Sequence, residues 1–286
     1  MKIRDVRKMS MHQIYLYWVK EREKIRDSKL VCKEPPWTDD EILNTYKFCN
    51  VRRMDDKVSR WLLLRWYGPH FNHENMVVAV TLARHLNNIP TLSEVGFPVN
   101  WCPRKIESLL DERQKAGLRN YSGAYMITAR YGRDRPPETK QYQTINRVCQ
   151  PLVDNPPEIV RDSMQETWKI LINYMGFSSF IAGQVVADLR WSMEGSWSDR
   201  YDWSPVGPGS QRGLNRYLGR DIKTKVTEDE LNSFISSKLK FMSRRESYPE
   251  DLESIDIQNT LCEYDKYCRV LFNEGKPKQK YHYEEN

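Results

Sequence analysis

A polar segment between two apolar runs carries residue types suited to phosphate chemistry. It reads Asn50-Val51-Arg52-Arg53-Met54-Asp55-Asp56. Guanidinium groups form paired hydrogen bonds with phosphate oxygens, so Arg52 and Arg53, with the Asn50 amide, suit a pyrophosphate or a DNA phosphate. Asp55 and Asp56 could hold Mg²⁺ through water. The alternative is a solvated corner between helices with local ion pairs, and the residues alone favour that alternative.

A Gly-Pro-Gly turn at positions 207–209 opens a basic helix. Such a turn leaves backbone N–H groups at the helix N-terminus, where they can bind a phosphate. The candidate contacts are Gly207, Gly209, Ser210, Arg212, Asn215 and Arg216. A similar turn in helix-hairpin-helix proteins binds the backbone of one DNA strand without reading its sequence. A tight turn with no ligand is the alternative, but two arginines one helical turn apart favour phosphate.

A single carboxylate, Asp188, interrupts the apolar run at 185–189. A buried carboxylate is costly unless it is paired, hydrogen-bonded or functional. Asp188 could therefore act as a base or stabilise a developing cation. A buried salt bridge to Arg190 or to a remote arginine explains the residue equally well.

Glu263 and Lys266 lie three residues apart among aromatic residues of a predicted C-terminal helix. An ordinary helical ion pair explains this spacing. The sequence contains neither the P-loop and dinucleotide-binding motifs nor the zinc-protease and serine-hydrolase motifs. ATP-driven chemistry by this chain alone is therefore disfavoured.

Helical periodicity dominates the elements that must position these residues. Ser10 is the predicted cap of the first long helix, and Thr38 with Glu41 forms a predicted capping box. Helices are predicted at 11–27, directly after the Thr38 cap, and at 58–67, 74–86, 103–115, 156–174, 177–193, 208–218, 228–241 and 257–272. Residues 122–127 could form a short strand or a turn. With little other strand pattern, the predicted fold class is all-α or nearly so.

Length and composition further limit the domain organisation, the partners and the cellular location that the sequence allows. The 286 residues suit a single domain, with two lobes at about 1–135 and 136–286 as one arrangement. The 45 basic and 39 acidic residues give a net charge of +6, which only suggests a polyanionic partner. The scattered cysteines and histidines form no zinc pattern, so no zinc site is predicted and no residue is assigned as a metal ligand beyond the possible Mg²⁺ contacts of Asp55 and Asp56. No apolar stretch reaches membrane-spanning length and the N-terminus lacks a secretory pattern, so we expect a cytoplasmic protein.

Several of these blocks occur in an order that resembles the alpha-glutamyl/putrescinyl thymine pyrophosphorylase family. The blocks are Pro36-Trp37-Thr38, Asn50-Val51-Arg52-Arg53-Met54-Asp55, Val186-Ala187-Asp188-Leu189, Gly207-Pro208-Gly209-Ser210 and Leu261-Cys262-Glu263-Tyr264. The resemblance spans about residues 12–283. The family consists of phage-associated amino acid:DNA transferases, and a similar helical domain accompanies 5-hydroxymethyluracil DNA kinases.

The resemblance implies a helix-hairpin-helix, glycosylase-like fold with two lobes around a cleft. It also implies action on DNA that contains 5-(pyrophosphoryloxymethyl)deoxyuridine, in which an amino acid or a polyamine displaces pyrophosphate at the exocyclic methylene. The implied partners are this DNA, the amine co-substrate and an upstream DNA kinase. Mg²⁺ is the one candidate cofactor, and a phage-encoded chain would work in the host cytoplasm.

On this interpretation the candidate catalytic residues are Asn50, Arg52, Arg53, Asp55 and Asp188. Arg52 and Arg53 would bind pyrophosphate, and Asp188 would orient or deprotonate the incoming ammonium. The turn at 207–209 would bind the DNA backbone. The remaining candidates, Trp61 or Tyr125 for stacking on an extruded base and Glu263 and Lys266 for substrate contacts, complete the predicted site.

Two other functions stay open. A DNA glycosylase also combines such a fold with a carboxylate, and Asp221, which follows the turn, occupies the usual position better than Asp188, which precedes it. A noncatalytic DNA-binding subunit that presents substrate to a separate kinase is the alternative from another class. Abasic sites would identify the first, and binding without turnover would identify the second.

Overall fold

The protein is helical throughout the residues that the computed structural model describes, 3–123, 138–246 and 248–281. The α-helices in chain order are α1 (Ile3–Val6), α2 (Met11–Leu30), α3 (Glu41–Thr45), α4 (Lys57–Trp61), α5 (Met76–Leu86), α6 (Ile89–Val95), α7 (Pro103–Lys115), α8 (Lys140–Tyr142), α9 (Gln150–Asp154), α10 (Met164–Leu171), α11 (Ser179–Ser192), α12 (Pro208–Tyr217), α13 (Glu228–Met242) and α14 (Ser254–Leu271). Within these ranges no strand forms, and Tyr46 makes one isolated antiparallel bridge with Lys280. The all-α prediction is confirmed.

Short segments of other helical types continue some of these helices. A 3₁₀ turn covers Arg53–Asp55, and α4 continues into a π-helical turn at Leu62–Tyr67 and a 3₁₀ turn at Gly68–His70. A second π-helical turn, Gln143–Cys149, joins α8 to α9. None of the helices in the described part of the chain is long and apolar enough to cross a membrane.

The chain divides into two compact units. The first combines 1–56 with 200–286, and the second consists of 57–199. The first unit is therefore built from both ends of the chain, whereas the lobes considered from the sequence, 1–135 and 136–286, are consecutive. The single-domain assignment stays a prediction.

The first unit is built around α14. Its hydrophobic core draws on α2, α3, α12, α13 and α14, and Tyr15, Trp18, Tyr264 and Tyr267 are buried in it. Ser10 caps α2 in a reciprocal capping box with Gln13, as predicted for the start of this helix. The cap of α3 differs from the prediction: Asp40, not Thr38, accepts the N–H groups of Ile42 and Leu43.

Close contact between α12 and α14 depends on two glycines of the Gly-Pro-Gly helix. A Cβ atom on Gly213 would lie 2.1 Å from the Leu261 carbonyl oxygen, and one on Gly209 would lie 2.7 Å from the Cys262 Sγ. The backbone at Leu261 cannot move away as a flexible side chain can. These glycines are therefore used in packing one helix against another.

The second unit is centred on α5 and α11. Every residue of α5 is buried, and most of α11 is buried as well, so both helices are interior elements of this unit. The helix predicted at 156–174 is shorter than expected, because α10 begins only at Met164. Ser163 is the N-cap of α10 and accepts the Glu166 N–H, and the Asp199 carboxylate adds a second set of acceptors for the N–H groups of Met164 and Gln165.

The predicted helix-hairpin-helix arrangement is not confirmed. The helix before the Gly-Pro-Gly turn, α11, ends at Ser192, and α12 begins at Pro208. The intervening residues, 193–207, include a turn at 198–202 and irregular chain, so no helix runs directly into the Gly-Pro-Gly turn. The strand or turn predicted at 122–127 and the stacking candidate Tyr125 fall mainly or wholly outside the described residues.

Replacement of Gly213 by alanine should destabilise the protein by about 1–3 kcal/mol, since the added methyl group meets backbone of α14. Urea unfolding followed by circular dichroism would measure the loss. Ser236→Ala, at an exposed position of α13, is the matched control and should stay within about 0.5 kcal/mol of the parent chain. Equal midpoints for Gly213→Ala and the parent chain would contradict the close helix contact.

Candidate functional site

The polar segment of the sequence folds onto α14 in the first unit; residues 48–56 are called the polar loop. The Cys49 N–H donates to Glu263 Oε2 at 2.9 Å, and the Arg53 N–H donates to Asp256 Oδ1 at 2.8 Å. Between them, the Asn259 amide approaches the Asn50 carbonyl oxygen at 3.4 Å. Carboxylates of α14 thus hold the loop by its backbone, and the predicted residues Asn50 and Glu263 lie together.

A buried arginine from α2 holds the other side of the polar loop. Arg22 donates to the Cys49 carbonyl at 3.2 Å, to the Phe48 carbonyl at 3.3 Å and to Asn50 Oδ1 at 3.0 Å. The sequence places Arg22 on a helical face rich in charged residues, which predicts a solvated side chain. It is instead only 7% exposed, and no local pattern distinguishes it from its charged neighbours.

Hydrogen bonds within the polar loop set its shape. The Asn50 N–H donates to Asp56 Oδ1 at 2.9 Å, and the Asn50 side-chain amide donates to the Asp55 carbonyl at 2.9 Å. Asn50 thus links the two ends of the loop through hydrogen bonds. Its side chain is partly exposed.

The charged side chains of the polar loop form ion pairs with neighbouring elements. Arg52 pairs with Glu23 of α2 and with Asp251, the latter at 2.8 Å, and Asp55 pairs with Arg26. Arg53 is 6% exposed. Arg52 and Asp55 therefore form the local ion pairs that were the alternative interpretation of this segment from the sequence.

Asp56 has the electrostatic character of an acid–base group. Burial raises the pKa of its carboxyl to about 6, and the nearby Glu263 carboxylate adds to the increase, while the Asn50 N–H and the cations Arg53 and Arg22 oppose it. A carboxyl group with such a pKa can accept or donate a proton near neutral pH. From the sequence, Asp56 was considered only as a magnesium ligand.

Glu263 and Lys266 form the helical ion pair that their spacing predicts. The Lys266 Nζ lies 2.7 Å from Glu263 Oε2 and 4.8 Å from the centre of the Phe48 ring. Since Glu263 also accepts the Cys49 N–H, this pair is attached to the polar loop. Burial raises the pKa of the Cys49 thiol well above its usual value, which makes that thiol a poor nucleophile at neutral pH.

The start of α12 is largely occupied by its own hydrogen bonds. The Gly207 N–H donates to Ser210 Oγ at 3.0 Å, and the same hydroxyl lies 3.0 Å from the Gly207 carbonyl oxygen. Pro208 has no N–H. Ser210 is fully buried and also lies 3.3 Å from the Gln258 amide nitrogen, so the expectation of a turn with several outward amides is only partly met.

The basic side chains of α12 pair within the first unit. Arg212 and Arg216 donate from Nε to the fully buried Asp265, at 2.8 and 2.7 Å, and Arg216 also pairs with Glu274. Asn215 is fully buried and donates to the carbonyl groups of residues 222 and 224. Of these DNA-binding candidates, Arg212 is the most exposed, at 37% of its side chain. Their proposed DNA contacts stay predictions.

Asp188 and Trp61 belong to the second unit. Asp188 is fully buried, receives two hydrogen bonds from Arg84 at 2.5 and 2.7 Å, and accepts a third from the Tyr67 hydroxyl at 2.6 Å. The salt bridge to a remote arginine, one of the two explanations left open, is therefore present. Trp61 is partly exposed and packs against Trp66, with ring centres 6.0 Å apart. The catalytic and stacking roles of these residues stay predictions.

Two further possibilities from the sequence were a metal site and a glycosylase carboxylate at Asp221. Among the residues that the structure describes, no group of three or more His, Cys, Asp or Glu side chains could hold a metal ion. Asp221 is exposed and accepts the N–H of Lys223 at 2.7 Å in the loop after α12.

Comparisons with known proteins give one family match and one curated relative. The family model described as "5-hmdU DNA kinase, helical domain" matches residues 9–277. A 5-hmdU DNA kinase of Bacillus phage SP10 is 23% identical over 272 residues, which cover 85% of this chain and 42% of the phage protein. The chain therefore spans less than half the length of that relative. No solved structure matches.

The pKa of Asp56 predicts a pH dependence of stability. The folded protein holds this proton up to about pH 6, whereas an unfolded carboxyl, with its ordinary pKa of 3.8, loses it earlier, so ionisation of Asp56 lowers stability as pH rises from about 4 to 7. Asp56→Asn removes this penalty and can still accept the Asn50 N–H. Its free energy of unfolding relative to the parent chain should therefore increase over that range.

Urea unfolding at pH 4, 5, 6 and 7 would measure this difference. Asp39→Asn, which removes a carboxylate at an exposed position, controls for the change in net charge. A difference between Asp56→Asn and the parent chain that is constant with pH, or that falls as pH rises, would contradict the buried environment assigned to Asp56.

Proposed function

Because the chain belongs to the family of 5-hmdU DNA kinase helical domains, we propose that it takes part in the modification of hydroxymethyluracil in DNA. The observation that carries this proposal is the family match over residues 9–277, which includes both the polar loop and α14. The named activity of the phage relative is a kinase activity, and this chain covers 42% of that protein. The step performed by this chain must therefore be assigned from its own residues and from the resemblance in its sequence blocks.

The step we propose is amine transfer to DNA that contains 5-(pyrophosphoryloxymethyl)deoxyuridine. The nitrogen of an amino acid or polyamine forms a bond to the exocyclic methylene carbon while the carbon–oxygen bond to pyrophosphate breaks. The bonding electron pair leaves with pyrophosphate, and the proton lost by nitrogen passes to a carboxylate. An activated methylene and a good leaving group mean that the protein mainly has to position the reactants and neutralise phosphate charge.

The polar loop offers the groups that this step requires. Arg52 and Arg53 would bind the pyrophosphate, with Arg52 exchanging its ion pair with the exposed Asp251 for phosphate oxygens. Asp56, with its pKa near 6, is our preferred proton acceptor. Asp188, the acceptor predicted from the sequence, is a weaker choice because three hydrogen bonds in a fully buried site already occupy its carboxylate.

A second candidate function follows from the fact that the chain matches only 42% of the phage kinase. The matched family is the helical part of a kinase, so the chain could act as a DNA-binding subunit that presents substrate to a separate kinase. This alternative predicts DNA binding without turnover, and activity only when the kinase is added. The glycosylase alternative predicts release of the base.

Nucleoside analysis separates these functions. The full chain would be incubated with DNA carrying the pyrophosphorylated base and with a panel of amino acids and polyamines, and the digested nucleosides measured by mass spectrometry. Amine transfer predicts an amine-substituted thymidine and an equal amount of free pyrophosphate. Abasic sites would support a glycosylase, and intact substrate with every amine would contradict the transfer reaction.

In the same assay Asp56→Asn should lower kcat by about 10²–10⁴-fold, the usual contribution of a positioned general base. Its affinity for unmodified DNA should stay unchanged, because the substitution leaves the backbone contacts of the polar loop in place. Asp39→Asn is the matched control and should retain the parental rate. Parental turnover by Asp56→Asn would remove Asp56 as the proton acceptor.

A further inference from the structure

A cluster of three hydrogen-bonding side chains in the first unit lies outside the polar loop. Lys238 of α13 donates from Nζ to the hydroxyl of Tyr217, the last residue of α12, at 2.6 Å. The same hydroxyl is hydrogen-bonded to Nδ1 of His12 on α2. Three helices therefore bring a lysine, a tyrosine and a histidine into one chain of hydrogen bonds, which we name the Lys238 cluster.

The direction of these hydrogen bonds leaves the cluster with surplus donors. An ammonium group only donates, so the Tyr217 oxygen accepts from Lys238 and its own hydrogen is directed to His12 Nδ1. The histidine proton then resides on Nε2. Burial and the Lys238 charge both lower the pKa of His12, in agreement with a neutral ring. Two hydrogens on Lys238 and one on His12 are thus available to further acceptors.

Lys238 is a buried cation in an aromatic environment. It is 6% exposed, and its Nζ lies 4.6 Å from the centre of the Tyr217 ring, 5.2 Å from that of Phe234 and 5.6 Å from that of Phe241. No Asp or Glu in the described ranges forms an ion pair with it. Aromatic faces offset part of the cost of burying an ammonium group, but they supply no hydrogen-bond acceptor for it.

Further cations extend this environment along α2 and the end of α13. The guanidinium of Arg245 lies 3.8 Å from the centre of the Phe241 ring, and Lys20 lies 4.8 Å from the centre of the Tyr248 ring. The Phe241 and Tyr248 rings are themselves in edge contact at 5.7 Å. Cations interleaved with aromatic rings are typical of surfaces that bind the phosphate groups and bases of nucleic acids.

We propose that the Lys238 cluster is a binding site for a phosphate oxyanion, with Lys238 and His12 as donors. An anion supplies the acceptors and the negative charge that the cluster lacks. Two sources carry the same chemistry: a backbone phosphate of DNA, or free pyrophosphate. The proposal rests on the geometry of this cluster and not on the amine-transfer reaction, so either can fail without the other.

Binding measurements with two probes test the site. Inorganic pyrophosphate would be titrated by calorimetry, and a fluorescent 20-base-pair duplex of unmodified DNA would be titrated at several KCl concentrations. Lys238→Met fits the aromatic environment while removing the charge, and Lys240→Met, at an exposed position of the same helix, is the matched control. Thermal unfolding of both variants would establish that they fold.

The site predicts that Lys238→Met weakens at least one probe by about tenfold or more while Lys240→Met does not. If the source is DNA, the slope of log Kobs against log salt concentration should fall in magnitude by about 1, the value for one lost phosphate contact. If the source is free anion, only pyrophosphate binding should weaken. Unchanged affinities for both probes would overturn the proposal.

A measurement on the parent chain covers the case in which Lys238→Met does not fold. The His12 ring resonance, assigned by its loss in His12→Gln, would be followed by NMR during titration with pyrophosphate and with the duplex. A saturable shift with either probe supports the site. A resonance that moves with neither overturns it.

Discussion

Three carboxylates along α14 organise the first unit. Asp256 accepts the Arg53 N–H, Glu263 accepts the Cys49 N–H, and Asp265 accepts from Arg212 and Arg216. A carboxylate inside a protein costs several kcal/mol unless it is paired and hydrogen-bonded. Asp265 is fully buried and the other two are less than 9% exposed, so each requires its donors to be in place. The polar loop and α12 are thereby tied to a single helix.

One of these carboxylates, Asp265, pairs with the basic residues of α12. Their sequence pattern predicts a surface that binds DNA phosphates, but Arg216 forms ion pairs with Asp265 and Glu274. Gly213 permits the close contact between α12 and α14 that brings these partners together. Arg212 is the member of this set with the most exposed side chain. The Lys238 cluster, which includes Tyr217 at the C-terminal end of α12, has the opposite character, since its cation is buried without a carboxylate partner among the described residues.

Much of the fold follows from local sequence signals. Helix α7 begins and ends at the predicted residues, and the Ser10 cap correctly starts α2. The start of α10 was predicted at 156 although Ser163 is its N-cap, and no local signal predicts the close contact between α12 and α14 that requires glycine at 213. The site shows the same division. Asn50 and Glu263 were predicted and lie together, whereas Arg22 and Lys238 were missed because burial of one charged residue on a charged helix leaves no local pattern.

The proposed reaction depends on binding of the pyrophosphorylated nucleotide by the polar loop. Hydrogen–deuterium exchange of the full chain, measured with unmodified DNA and with DNA that carries 5-(pyrophosphoryloxymethyl)deoxyuridine, tests it most directly. The account predicts slower exchange at residues 48–56 with the pyrophosphorylated DNA and not with unmodified DNA. Equal exchange of this segment with both DNAs would contradict it.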